Sequence, residues 1–131
     1  MIEATLQKWH DYMDGKGQIN LDDILAEDVV FHSPVVHTPQ KGKDITKKYL
    51  SGAAMVLGKN DFQYVRTVAS GNDAVLEFTA EIEGIHINGI DLIRVNDEGK
   101  IIDFKVMLRP LKAVNIVHKG MAAMLEKTAS K

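Results

Sequence analysis

Cysteine is absent from this 131-residue chain, which removes disulfides and thiolate chemistry together. Any zinc site would have to be built from histidine and carboxylates alone. Three prolines and ten glycines, none gathered into biased runs, leave no linker, repeat or low-complexity segment. No apolar stretch approaches the roughly 20 residues that a membrane span needs. The first residues, Met1 to Leu6, lack the basic stretch and apolar run of a signal peptide. The absence of cysteine fits a reducing compartment, and a cytoplasmic location is the expectation. A formal net charge of −2 provides no basic excess, so a nucleic-acid partner is not expected. Glycine-rich phosphate loops, nucleophile elbows and dinucleotide fingerprints are also missing, and no cofactor is expected.

What remains is an ordinary globular composition, 45% apolar and 26% charged. The length suits a single domain, residues 1–131, with a core that needs no staples. Ile2, Leu6, Trp9 and Met13 recur at helical spacing and predict an amphipathic helix near 2–14, stopped by Gly15-Lys16-Gly17. Asn20 can cap a short helix, Leu21 to Ala26, with Asp22 and Asp23 in its first turn. Val29 to Ser33 reads as a strand ended by Pro34, and Val35 to Gly42 as a loop. A third helix is expected over 43–57, with Ile45, Tyr49, Ala53 and Val56 on its buried face. Four strands follow: 62–69, 74–83, 85–95 and 100–108. Their turns are Ser70 to Asp73, Gly84, and Asn96 to Gly99. Pro110 suits the first position of a last helix over 110–127, with Val114, Val117, Met121 and Met124 as its stripe.

Helices followed by serial antiparallel strands make an α+β protein. The one-sided strands need the N-terminal helices as cover, and a strongly curved sheet wrapped over helices leaves a cavity. Asp91 should look into it. In the strand 85–95, parity puts Ile85, Ile87, Gly89, Asp91, Ile93 and Val95 on one face. A carboxylate in an apolar row is costly unless it is paired or stays protonated. Trp9 N–H, Ser33 or Tyr49 is the partner expected across the cavity.

Three segments carry a resemblance: Leu25 to Pro34 (LAEDVVFHSP), Gly42-Lys43-Asp44-Ile45, and Gly89 to Ile101 (GIDLIRVNDEGKI). They resemble the nuclear-transport-factor-2-like superfamily, which includes SnoaL-type polyketide cyclases, ketosteroid isomerases and limonene epoxide hydrolases. The resemblance implies a cone-shaped α+β barrel over residues 1–108, with 109–131 as an added C-terminal helix. In the ketosteroid isomerases, the position of Asp91 holds a protonated aspartate that donates to an oxyanion. Ser33 stands where they keep the aspartate base, and Trp9 where they keep the oxyanion tyrosine. A serine hydroxyl cannot collect a proton near neutral pH. Arg94 lies on the opposite face from Asp91, so the Asp-Arg-Asp set of the epoxide hydrolases is not matched.

The expected ligand-binding residues are Trp9 and Met13 from the first helix, and Phe31 and Ser33 from the first strand. Tyr49 and Ala53 join them from the third helix, and Phe78, Ile93, Phe104, Val106 and Leu108 from the inner sheet face. Asp91 is the expected catalytic residue, with His32 as a second candidate. Parity points His32 away from the cavity unless its strand bulges before Pro34. His37 sits in a loop near the expected mouth. His10 and Asp14, four apart on the first helix, are too few ligands for a metal.

These residues predict a binder of a small apolar or carbonyl-containing molecule, anchored by Asp91. Whether the chain is an enzyme stays open. Isomerase- or cyclase-type proton transfer suits it better than epoxide hydrolysis. The alternative is a non-catalytic dimerisation or scaffold module with a filled cavity. Ile90, Leu92 and Met107, on the outer sheet face, predict a homodimer through that face.

Overall fold

The computed structural model describes residues 2–16, 19–58 and 61–129, the last three by backbone alone. Helix α1 spans Ile2–Met13, and α2 is the single turn Leu21–Ile24. Strand β1 (Leu25–His32) and the two-residue β2 (Gln40–Lys41) precede α3 (Lys43–Leu57). Strands β3 (Gln63–Ser70), β4 (Asp73–Ile82), β5 (Ile85–Val95) and β6 (Ile101–Arg109) lead into α4 (Leu111–Ala129). The sheet order is β2-β1-β6-β5-β4-β3, antiparallel except for the parallel pair β1 and β6. The expected curved α+β architecture is present. Its sheet is open, with β2 and β3 at the edges, and does not close on itself.

Local chemistry explains the boundaries. Gly15 takes φ +69 after α1, while Gly17 lies outside the described residues. The Asn20 side chain accepts from Asp22 N–H at 3.0 Å, capping α2 as its sequence predicts. The second helix stops two residues short of Ala26, because Leu25 already pairs with Ile101 of β6. β1 therefore begins at Leu25 rather than Val29, a case of tertiary pairing overriding local preference. Gln40 and Lys41, expected in a loop, pair with Phe31 and Val30. Glu83 and Gly84, at φ 49 and 79, make the two-residue turn between β4 and β5. Pro110 directly precedes α4, and its carbonyl accepts from the N–H groups of Ala113 and Val114.

Burial alternates along β4 and β5 as expected, with Leu76, Phe78, Ala80, Ile87, Asp91 and Ile93 facing inward. In β6 a bulge opposite Arg94 and Val95 shifts the phase, so that Ile101 is buried where parity pointed to Ile102. Helix α3 packs against both β1 and α4, and its buried residues are Thr46, Leu50, Gly52 and Leu57. The expected row of Ile45, Tyr49, Ala53 and Val56 is only partly buried.

Two apolar clusters result. One joins α1, α2, β1 and the inner ends of β5 and β6, around Ile2, Leu6, Trp9, Ile24, Ile93 and Phe104. The other joins α3, α4 and the far halves of β4 and β5, around Leu57, Phe78, Ile87, Val117 and Met121. Tyr49, Tyr64 and Val106 pack against both clusters and mark the boundary between them. Among the described residues, no helix is long and apolar enough to cross a membrane.

Candidate functional site at the boundary between the two cores

Asp91 sits at this boundary, 5% exposed and paired in register with Leu76 of β4 and Val106 of β6. Its carboxylate Oδ2 accepts a 2.6 Å hydrogen bond from the Tyr64 hydroxyl. The Tyr64 oxygen in turn accepts from Trp9 Nε1–H at 2.8 Å. The partner is thus a phenol on the edge strand β3. Trp9, expected to bond directly, reaches Asp91 only through Tyr64, while Ser33 and Tyr49 line a different part of the interior. Ser33 Oγ accepts from Val35 N–H, and Tyr49 stacks on Phe31 with ring centroids 5.1 Å apart.

Burial raises the Asp91 carboxyl from 3.8 to about 7, against the opposing pull of the Tyr64 hydrogen bond. Burial, followed by the charge of Asp91, also holds the Tyr64 hydroxyl well above the ordinary phenol range. Tyr64 is consequently a fixed donor at any working pH. Asp91 changes charge near neutrality, and its neutral form has a proton to give.

An apolar cavity of about 40 Å³ opens beside this carboxyl, lined by Trp9, Met13, Leu50, Ala53, Ala54, Leu57, Phe62, Tyr64, Phe78, Asp91, Phe104 and Val106. A second cavity of about 30 Å³ shares Ala53, Leu57 and Val106 with it. That second lobe continues to Phe31, Ser33, Pro34, Tyr49 and Leu108, and ends against Val117 and Met121 of α4. Aromatic rings enclose the acid end: Phe62 stacks on Phe78 at 5.0 Å and meets Tyr64 edge-on at 4.9 Å. The two lobes together hold a few waters, far below the roughly 300–1,000 Å³ of an open ligand pocket.

Of the sequence-predicted residues, Trp9, Met13, Ala53, Phe78, Phe104 and Val106 join Asp91 at the first lobe. Phe31, Ser33, Tyr49 and Leu108 lie at the second. Ile93 does not line either lobe, because it is fully packed in the first apolar cluster. His32 points to the outer sheet face, where Nε2 lies 3.2 Å from Asp103 Oδ2. It borders an open concavity there with His37 and Lys105, on the opposite side of the sheet from Asp91. Sequence reasoning missed the aromatic side chains nearest the acid, Tyr64 and Phe62, along with Leu50, Ala54 and Leu57 of the first lobe. The i, i+2 spacing of Phe62 and Tyr64 at the start of β3 is the signal for a shared inward face. Among the described residues, no group of three or more histidines and carboxylates is placed to hold a metal.

A curved open sheet over N-terminal helices, followed by a C-terminal helix, is the nuclear-transport-factor-2-like fold. Within it, residues 6–104 match the SnoaL-like domain, and the chain belongs to that family. A crystal structure from Pseudomonas aeruginosa, described as a steroid delta-isomerase, is 34% identical with a TM-score of 0.92. The alignment covers 99% of this chain and 95% of that one, so α4, beyond the family match, has a counterpart there. An uncharacterised protein from Silicibacter pomeroyi DSS-3, described as having a cystatin-like fold, is 33% identical with a TM-score of 0.78, covering 84% and 77% of the two chains. A protein from Jannaschia sp. CCS1, assigned as a SnoaL-like polyketide cyclase, shares the fold at 8% identity and a TM-score of 0.66, covering 86% and 90%. No curated protein matches the chain.

Proposed function

We propose that this SnoaL-like protein binds a small, largely apolar carbonyl compound in the interior cavity, with Asp91 as its polar anchor. One observation carries the reading. A single carboxyl, held near neutrality by burial and oriented by Tyr64, lines an otherwise apolar and aromatic cavity. A neutral carboxyl can donate to a carbonyl oxygen and hold the negative charge that develops there. If the ligand reacts, isomerase- or cyclase-type proton transfer suits the site, with Asp91 as acid or oxyanion donor. The likeness to the protein described as a steroid delta-isomerase supports that class. Ser33, in place of the base, argues against a simple copy of the ketosteroid isomerase reaction.

The test is a titration with the fluorescent ketone 6-propionyl-2-(dimethylamino)naphthalene between pH 5 and 9. Wild-type affinity should fall as pH rises through about 7, where Asp91 loses its proton. The Asp91→Asn variant should bind with no such dependence. A pH-independent wild type, or no binding at all, removes Asp91 as a carbonyl anchor.

The small volume of the two lobes favours a second reading, in which side chains fill the interior and the domain is a scaffold. In either reading, the outer sheet face is proposed to join two copies of the chain. Paired residues place Val68, Val75, Leu92, Ile90 and Met107 together on that face. The ion pairs Arg66–Glu77, Arg94–Asp73 and His32–Asp103 surround them. An apolar centre inside a charged rim is the make-up of a protein interface.

A further inference from the structure

A ligand of the proposed kind does not fit lobes of about 40 and 30 Å³ without movement, and one wall of the interior stands out. The six-stranded sheet is hydrogen-bonded throughout its centre. Helix α1 is tied down by the Thr5 hydroxyl on Gly99 C=O at 2.6 Å and by the Trp9 bond to Tyr64. Of the other walls, which include the Ser33–Pro34 segment and Phe62, the seam between α3 and α4 is the one built on glycine. A Cβ on Gly52 would lie 3.2 Å from Met121 Cε and 3.6 Å from its Sδ. A Cβ on Gly120 would lie 3.0 Å from Val56 Cγ1. Each helix therefore offers a glycine to a side chain of the other.

Outside this seam lies a surface groove of about 330 Å³, bordered by Lys48, Ser51, Gly52, Met55, Met124 and Leu125. Inside it lies the second lobe, bordered by Tyr49, Ala53, Val117 and Met121. Gly52 faces the groove and Met121 faces the lobe, and the two touch. The Met121 side chain thus lies between Gly52, on the groove, and the second lobe. Methionine is unbranched and changes rotamer with little strain, which suits a plug.

We infer that Met121 gates the cavity: ligands pass from the α3–α4 groove to Asp91 when this side chain and the seam around it swing aside, and Met121 limits the size of what enters. The inference rests on the interior cavity being a binding site, but its test does not need a bound ligand. Trp9 is the only tryptophan in the chain, is 3% exposed, and lines the first lobe. Quenching of its fluorescence by acrylamide reports passage of a small amide into the interior.

The chain has no cysteine, so a staple can be placed cleanly. The Cβ of Val56 lies 3.9 Å from the Cβ position of Gly120, within the range of a disulfide. In the double variant Val56→Cys, Gly120→Cys, oxidation should lower the acrylamide quenching constant several-fold, and reduction should restore it. Met121→Ala, which leaves the staple site untouched, should raise quenching several-fold above wild type at unchanged circular dichroism. Quenching that is indifferent to both oxidation and Met121→Ala overturns the gate and places the way in elsewhere, for example beneath Ser33 and Pro34. If instead quenching responds to both variants but the naphthyl ketone does not bind, the gate stands and the carbonyl ligand does not.

Discussion

At the scale of single residues, the cost of burying Asp91 is the central quantity. A carboxyl raised from 3.8 to about 7 holds a proton in the folded state that the unfolded chain has already lost. Stability contributed by that proton is fully present below about pH 4, declines as pH rises, and is gone above about pH 7. The whole difference is about 4 kcal/mol at most. Urea unfolding of wild type and Asp91→Asn across this range should show the variant gaining on the wild type as pH rises. Parallel curves would mean that Asp91 carries no such penalty. Tyr64→Phe removes the donor to Asp91 and leaves the Trp9 N–H without its acceptor. It should cost about 1–3 kcal/mol of stability and move the Asp91 midpoint upward, since the lost bond was lowering it. Strand parity alone makes Asp91 legible in the sequence. Its partner is not, because Tyr64 lies 27 residues upstream and only the register across β4 brings the two together.

At the scale of elements, the close approach of β5 to its neighbours shapes the cavity floor. Gly89 pairs with Phe78 on one side and Leu108 on the other, two residues from Asp91. A Cβ there would lie 2.6 Å from Phe78 Cζ and 2.7 Å from the Met107 carbonyl oxygen. A backbone oxygen cannot step aside as a flexible side chain can. Gly89→Ala should therefore cost about 3 kcal/mol, read as a lowered urea midpoint; an unchanged midpoint would show that the strands relax freely. The periodic elements, α1, α3, β4, β5 and α4, are readable from the chain because one face of each repeats regularly. Departures occur where a neighbour decides. Leu25 is drawn out of a helix by Ile101, Ile101 displaces Ile102 at a bulge, and α3 buries a row set by its packing on both β1 and α4. Such effects depend on contacts between distant segments, and no local pattern encodes them.

At the scale of the whole molecule, the two faces of the sheet divide the work. The inner face holds the acid and the cavity, and the outer face carries an apolar centre with Met107 47% and Val68 59% exposed. Two copies joined through that face should sediment as a dimer at micromolar concentration, and Met107→Lys should shift the population to monomer without unfolding it. A monomeric wild type would contradict this arrangement. Neither question displaces the claim on which the interior reading depends, that Asp91 is protonated near neutrality inside an apolar cavity. Carbon-detected NMR of the Asp91 carboxyl, followed from pH 3 to 9, tests it most directly. The expected midpoint is about 7, shifted higher in Tyr64→Phe. A midpoint near 4 in both proteins would show an ordinary ionised carboxylate and contradict the role assigned to it.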